Sequence, residues 1–331
     1  MQPRTGAILS IAHCPHINPN AYSDSDKSLW RNRAITDSFE PGSTMKIFSA
    51  AAALEYGEST PSSIFYCENG AYQIGKNVVH DIHKRGWLSL QNIIKFSSNI
   101  GAVKIGEKVG AKNLYRALRN FGFGRKTGID SPGETPGSLA NYTSWSKMDT
   151  GAISFGHGVS VSAIQMVTAV SAIANDGILM KPDIVQQIVN QNGHPVRRFE
   201  PQKVRRAISA HTATIVKNIM KTVVTEGGTG VNAAIEGYSV GGKTGTSRKL
   251  DKNGQYSNNR HTASFIGFTP ADNPEIAIIV VIDEPKGQYY GGIVAAPVFK
   301  QIAQQTLNYL NVPPDGGTTK FRVFLGSEVQ G

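Results

Sequence analysis

The chain is expected to fold as an α+β protein, an antiparallel sheet flanked by helices with an inserted all-helical lobe. Three features of its 331 residues lead there. A short apolar run, Thr5 to Ala12, opens the chain. A long middle section carries helical patterning. The last third changes to three strand candidates, 238–247, 262–269 and 276–283, before a closing helix over 293–310. A first strand that joins a late sheet, with the helices forming their own lobe, closes such a chain on itself.

Thr5 to Ala12 is short and strand-like, whereas 14–41 is rich in Asn, Ser, Asp and Pro and reads as a long loop. A helix begins near Ser43 and runs to about Tyr56 through Ala50–Ala53, with Gly57 as its stop. Residues 89–108 read as one helix and 111–121 as another, bounded by Gly110 and Gly122. From Phe123 to Lys147, Gly, Pro, Ser and Thr predict loop. Residues 160–175 are apolar and helical, closed by Asn175-Asp176-Gly177. Runs 184–190 and 195–199 flank Asn192-Gly193, a hairpin signal. Residues 210–225 are helical and end at Gly227-Gly228. Asp251–Asn259 and Pro270–Pro274 are turns between the late strands, and 313–331 is a tail. The sheet part is thus about 1–60 with 235–312, and the helical part about 61–234.

Composition excludes some classes. With 40% hydrophobic and 18% charged residues the chain is globular, not disordered. Its formal net charge is +10, but the basic residues are scattered. The densest groups, Arg197-Arg198 and Lys203 with Arg205-Arg206, have no interleaved aromatics, so a solvated basic face is expected and no nucleic-acid partner. No run reaches the roughly 18 apolar residues of a spanning helix. The abrupt start, almost directly in strand-like sequence, reads as a piece of a longer chain. Cys14 and Cys67 make no disulfide framework and are read as free.

Three motifs carry chemistry. Ser43 lies in Glu40-Pro-Gly-Ser-Thr-Met-Lys46, where a loop enters a helix. Alone it would be an N-cap. Lys46, nearly one turn on, shares its face at about 5–6 Å between Cβ atoms. A desolvated lysine can take the proton that makes a hydroxyl nucleophilic. The second motif is Ser97-Ser98-Asn99, whose hydroxyl could relay a proton and whose amide could accept from Lys46 while donating to a substrate carbonyl. The third, Lys243-Thr244-Gly245-Thr246, offers a cation, two hydroxyls and bare backbone for a substrate lying edge to edge. Gly237 to Thr244 also satisfies the phosphate-loop spacing literally. Gly245-Thr246-Ser247-Arg248 then leads into turn sequence instead of starting a helix, and a nucleotide-binding module stays as the alternative reading.

Ser-x-x-Lys, Ser-x-Asn and Lys-Thr-Gly in this order resemble the transpeptidase domain of a class B penicillin-binding protein, of the septal or sporulation type. Thr5-Gly-Ala-Ile-Leu, Phe155-Gly-His-Gly158 with Ser162, Ile164 and Gln165, and Gly227-Gly-Thr-Gly230 extend the likeness over most of the chain. The resemblance implies the fold shared by serine β-lactamases and penicillin-binding proteins. It also implies that Ser43 attacks the penultimate D-Ala carbonyl of a peptidoglycan stem peptide, with release of the terminal D-Ala. Lys46 would take the Ser43 proton, Ser97 relay a proton to the leaving amine, and Asn99 hold Lys46 and the substrate amide. Lys243 would keep the site positive, and Thr244 and Thr246 bind the terminal carboxylate. The N–H groups of Ser43 and Thr246 would form the oxyanion hole, and His157 would line the cleft. β-Lactams would acylate the same serine.

No cofactor or metal is expected. His80 and His83 stand three apart, but no third ligand accompanies them. The resemblance places the protein on the extracytoplasmic face of a bacterial cytoplasmic membrane. There it would be anchored by an N-terminal segment outside these residues, through which division or elongation proteins would bind. A β-lactamase is the rival within the fold. None of Glu107, Glu134, Glu200, Glu226 and Glu236 carries the Leu-Asn that accompanies a class A deacylating glutamate at +3 and +4, and Asn99 stands where class D has an aliphatic residue. A β-lactam sensor shares the fold and stays open.

Overall fold

The computed structural model describes residues 1–57, 59–251 and 253–315. The chain opens with a long connection that contains only one short helix, α1 (Arg33–Thr36), and 3-10 turns. A 3-10 turn over Gly42–Met45 leads into α2 (Lys46–Tyr56). This helix is buried on nearly every side: Lys46 through Ala53 have no more than 1% exposure. Its four consecutive alanines keep it thin, so α4 (Asn99–Val109), α5 (Ala111–Asn120) and α8 (Ala210–Val223) can all pack on it. Phe48 fills the space toward α5, with edge-on contacts to Phe121 and Phe123 at 4.9 Å each. Gly57 ends the helix as expected, its N–H donating to Ala53 O.

Between α2 and α4 lie two small antiparallel ribbons that hydropathy alone did not predict. β1 (Ile64–Tyr66) pairs with β4 (Trp87–Ser89), and β2 (Ala71–Ile74) with β3 (Asn77–His80). The helix expected over 89–108 is two helices, α3 (Leu90–Phe96) and α4, broken at Ser97. Ser97 adopts the left-handed conformation (φ 60°), and Ser98 caps α4 by accepting from Gly101 N. The segment 123–147, expected as loop, is largely that, and Gln165 Nε2 ties it down by donating to Arg125 O and Pro136 O. A further helix, α6 (Lys147–Ser154), starts there on a Ser146–Asp149 capping box. A second capping box, Ser162 with Gln165, starts α7 (Ala163–Ala174).

β5 (Ile178–Met180) and the Asn192-Gly193 hairpin of β6 (Gln187–Val189) and β7 (Pro195–Arg198) come next, then β8 (Lys203–Arg206), which pairs with β5. The main sheet has the order β11-β10-β9, from β9 (Gly241–Leu250), β10 (Tyr256–Thr269) and β11 (Ile276–Asp283), all antiparallel. Alternation sets its two faces. Phe265, Ile276 and Val280 pack with Phe299 and Leu307 of α10 (Ala296–Tyr309), which comes after the short α9 (Gly291–Val294). Ile266, Phe268 and Ala277 face the helical core through α7.

The expected first strand, 5–12, does not join this sheet. Met1 alone exchanges hydrogen bonds with Ala277 on β11, at 3.0 and 2.9 Å. A turn closed by Gly6 N on Gln2 O then carries the chain to Asp183, where Ala7 makes a single parallel bridge. The expected tail falls mostly outside the described residues. Phe48→Ala is expected to cost about 3–5 kcal/mol by leaving a cavity between α2 and α5. Chemical denaturation of the purified protein checks it.

Candidate active site

The three motifs converge on one open cleft of about 980 Å³, lined among others by Ser43, Ser97, Asn99, His157, Thr244 and Thr246. Ser43 is half-buried at the mouth of α2, inside the 3-10 turn that begins it. Lys46, in the first turn of α2, is fully buried. All three of its Nζ hydrogen bonds run to the break between α3 and α4: Ser97 O at 2.6 Å, Asn99 Oδ1 at 2.7 Å and Ser97 Oγ at 3.3 Å. The two short bonds go to atoms that can only accept. In a neutral amine they take both N–H groups, leaving the lone pair for a hydroxyl proton. Burial pushes the Lys46 pKa down to about 7, with Asp81 opposing that shift.

Lys243, on β9, is also fully buried. Its Nζ donates to Ser97 Oγ (2.9 Å), Thr244 O (3.1 Å) and Thr244 Oγ1 (3.3 Å). Burial first, and the Lys46 charge second, hold its pKa well below the ordinary lysine value. Because Ser97 Oγ accepts from Lys243, its own proton is free to be passed on. Thr244 Oγ1 reaches Thr229 Oγ1 at 3.0 Å, and Thr246 Oγ1 accepts from Gly291 N at 3.1 Å. β9 is the sheet edge beside the cleft, and an edge strand turns alternate N–H and C=O groups away from its neighbour.

The Ser43 segment is wedged between β9 and the turn after α6. Gly42 N donates to Gly156 O (3.2 Å), and Ser247 Oγ to Glu40 O (2.8 Å). Gly245 was expected to clear space for a substrate. The structure adds a packing reason for glycine: a Cβ there would fall 2.3 Å from Ser264 Oγ and 2.8 Å from Thr44 Cγ2. Close packing of the Pro41–Thr44 segment on β9 requires it.

His157 lines the cleft with Nδ1 3.0 Å from Tyr256 Oη and 3.3 Å from Glu40. Burial, then the charges of Lys46 and Arg248, lower its pKa to about 4, so it is neutral at physiological pH. Tyr256 Oη donates to the Glu40 carboxylate at 3.1 Å, which also accepts from Gly158 N at 2.8 Å. Asn99 spends one side-chain N–H on His80 O (2.9 Å), leaving one of the two for a substrate.

Glu40, Tyr256, Thr229 and Asp81 are the site residues that sequence reasoning passed over. Asp81 accepts from Ser98 Oγ and Asn99 N, both at 2.5 Å, and from Ile100 N at 3.1 Å. It sits in the His80–His83 run weighed only as a metal motif, 17 to 19 residues before the groups it holds. Among the described residues no cluster of three His, Cys, Asp or Glu side chains is gathered, there or elsewhere.

Comparison with known proteins agrees with the geometry. Residues 1–304 match the family profile described as the penicillin binding protein transpeptidase domain. The chain is 38% identical over 315 residues to a probable peptidoglycan D,D-transpeptidase, PenA, of Neisseria flavescens, covering 95% of this chain and 75% of that protein. It is 39% identical to stage V sporulation protein D of Bacillus subtilis and 34% identical to the peptidoglycan D,D-transpeptidase FtsI of Escherichia coli, in each case over 95% of this chain. It spans only about half of these two relatives, 49% and 51%. Among solved structures it resembles the apo transpeptidase domain of penicillin-binding protein 3 from Burkholderia pseudomallei, with TM-score 0.83 and 35% identity over 95% of this chain and 88% of that one. The aztreonam complex of penicillin-binding protein 3 from Mycobacterium tuberculosis gives TM-score 0.84 at 32% identity, over 95% and 72%.

Two outcomes test the geometry. Gly156 has φ +89°, and a Cβ on it would lie 2.1 Å from Gly42 O. Gly156→Ala is therefore expected to destabilise the fold by about 1–3 kcal/mol, measurable by urea unfolding. Lys46 is expected to titrate near pH 7, visible by carbon NMR of lysine Cε, while exposed lysines titrate near about 10.4.

Proposed function

The chain belongs to the penicillin-binding-protein transpeptidase family, and from that premise we propose that it is the catalytic domain of a peptidoglycan D,D-transpeptidase, about 1–312, that β-lactams acylate at Ser43. The observation that carries the reading is the fully buried Lys46 amine, held by Ser97 O and Asn99 Oδ1 at the start of the helix that presents Ser43.

The cycle begins with a stem peptide ending in D-Ala-D-Ala laid along the β9 edge. Thr244 and Thr246 bind its terminal carboxylate, and Lys243 adds positive charge. The free Lys46 lone pair takes the Ser43 proton as Oγ attacks the penultimate D-Ala carbonyl. The N–H groups of Ser43 and Thr246 receive the developing oxyanion, at ~3 kcal/mol per donor. Ser97 Oγ passes its proton to the departing D-Ala nitrogen and is reprotonated from Lys46. The ester is then attacked by an amine of a neighbouring stem peptide; Lys46 takes the amine proton and returns it to Ser43 Oγ as that oxygen leaves and the cross-link forms. Asn99 keeps its amide toward both Lys46 and the substrate, and neutral His157 packs at the cleft wall.

Transfer rather than drug hydrolysis is supported by the cleft lining. Among the described residues Asp81 is its only carboxylate, and three hydrogen bonds already engage it. Glu134 is used inside its own loop, accepting from Thr127 and Gly128. Peptidoglycan lies outside the cytoplasmic membrane, so the domain works on that face. Among the described residues no helix is long and apolar enough to cross a membrane.

Incubation with a fluorescent penicillin and then mass mapping is expected to place one adduct on Ser43, stable for many minutes, and Ser43→Ala to abolish it. Labelling that survives the change sinks the assignment. Rapid turnover of a chromogenic cephalosporin would favour a hydrolase instead, and Mg²⁺-dependent ATP binding without an adduct a nucleotide site.

A further inference from the structure

We infer that Asp81 is a positioning residue for acyl transfer: its carboxylate sets the Ser97–Ser98–Asn99 turn against Lys46 and is a counter-charge to that buried lysine. The inference rests on the reading of Ser43 as nucleophile and Lys46 as base.

The first N–H groups of a helix have no partner within it. In α4 that start is enclosed, with Ser98 and Ile100 buried, so water is a poor substitute. Asp81 Oδ1 accepts from Asn99 N and Ile100 N, and Ser98 Oγ accepts from Gly101 N. Ser98 Oγ in turn donates to Asp81 Oδ2. Three successive free N–H groups are thus satisfied through one carboxylate and the hydroxyl that it orients. An anion also suits the positive end of the helix dipole.

The preceding residue completes the grip. His80 O accepts from Asn99 Nδ2, so the end of β3 holds Asn99 by its backbone amide and its side-chain amide together. That fixes which way the amide faces: Oδ1 toward Lys46 Nζ at 2.7 Å and Nδ2 away from it. The same turn puts Ser97 in its left-handed conformation, from which its carbonyl reaches Lys46 at 2.6 Å. Both acceptor-only partners of Lys46 therefore hang on a turn that Asp81 pins.

The charge acts as well. The charged and titratable groups facing Lys46 are Lys243 from β9, across Ser97 Oγ, His157 from the turn after α6, and Asp81. Asp81 is the anion among them. On its other side it meets the buried Cys67 thiol, which Ser98 Oγ reaches at 3.6 Å and beside which stand Lys104 and Glu68. Burial drives Lys46 toward neutrality, and the Asp81 charge opposes that, keeping the amine basic enough to accept a serine proton. Removing the charge moves the Lys46 protonation midpoint to lower pH.

The test measures the acylation rate with a fluorescent penicillin from about pH 5 to about pH 9, on wild type, Asp81→Asn and Asp81→Glu, with melting curves for each. Asp81→Asn is expected to lower the plateau rate ~10-fold and to move the acid midpoint down by roughly half a unit or more. Asp81→Glu, which keeps the charge but displaces the oxygens, is expected to keep the wild-type midpoint with a reduced plateau. An unmoved midpoint in Asp81→Asn, or a plateau within about twofold of wild type in either variant, overturns the inference. If Asp81→Asn does not fold, the plateau of Asp81→Glu decides alone. Failure of wild type to acylate would overturn the functional reading and this one together, whereas normal wild-type acylation with unchanged variants overturns this one only.

Discussion

Withdrawing the Lys46 amine from water is costly in its charged form, and the surrounding structure depends on how that cost is met. α2 is buried because its alanines let three helices close over it, and the lysine goes in with them. Burial lowers its proton affinity, and a second buried lysine, Lys243, stands across Ser97 Oγ. Two oxygens that can only accept, Ser97 O and Asn99 Oδ1, make the site tolerable for a neutral amine or an ammonium. An amine poised near pH 7 results from these contacts and not from lysine's own chemistry.

Holding those acceptors requires a break in a helix. A continuous helix over 89–108 would give the Ser97 carbonyl to its own hydrogen-bond ladder. The left-handed turn at Ser97 frees that carbonyl, and the ribbon ending in His80 and Asp81 secures the new helix start. The Ser43 side is held by close packing instead. Gly156 and Gly245 let the Pro41–Thr44 segment lie against the turn after α6 and against β9 without side chains between.

Much of the site was legible because its chemistry lies in short motifs. Ser43 and Lys46 share a helical face, Ser97 and Asn99 flank one position, and Lys243 to Thr246 lie in one strand; residue type and local spacing announce all three. The secondary elements with strong periodicity or clear stops, α2, α5, α7, α8 and the three late strands, were legible for the same reason. The features that escaped have a distant cause. The small ribbons β1–β4 and β2–β3 are too short to show a period. The run from Thr5 has strand composition, but the edge of β11 is met at Met1 and the turn after it leads away.

By itself, then, the sequence determined an α+β chain with a serine, two lysines, a second serine and an asparagine in an order suited to acyl transfer. Only the tertiary structure decided that Lys46 and Lys243 are both buried around one hydroxyl, that Gly245 serves packing, and that Asp81, Glu40 and Tyr256 belong to the site. Proton affinity and orientation depend on what surrounds a group in space. Those neighbours come from segments as much as 216 residues apart, so no local pattern carries them.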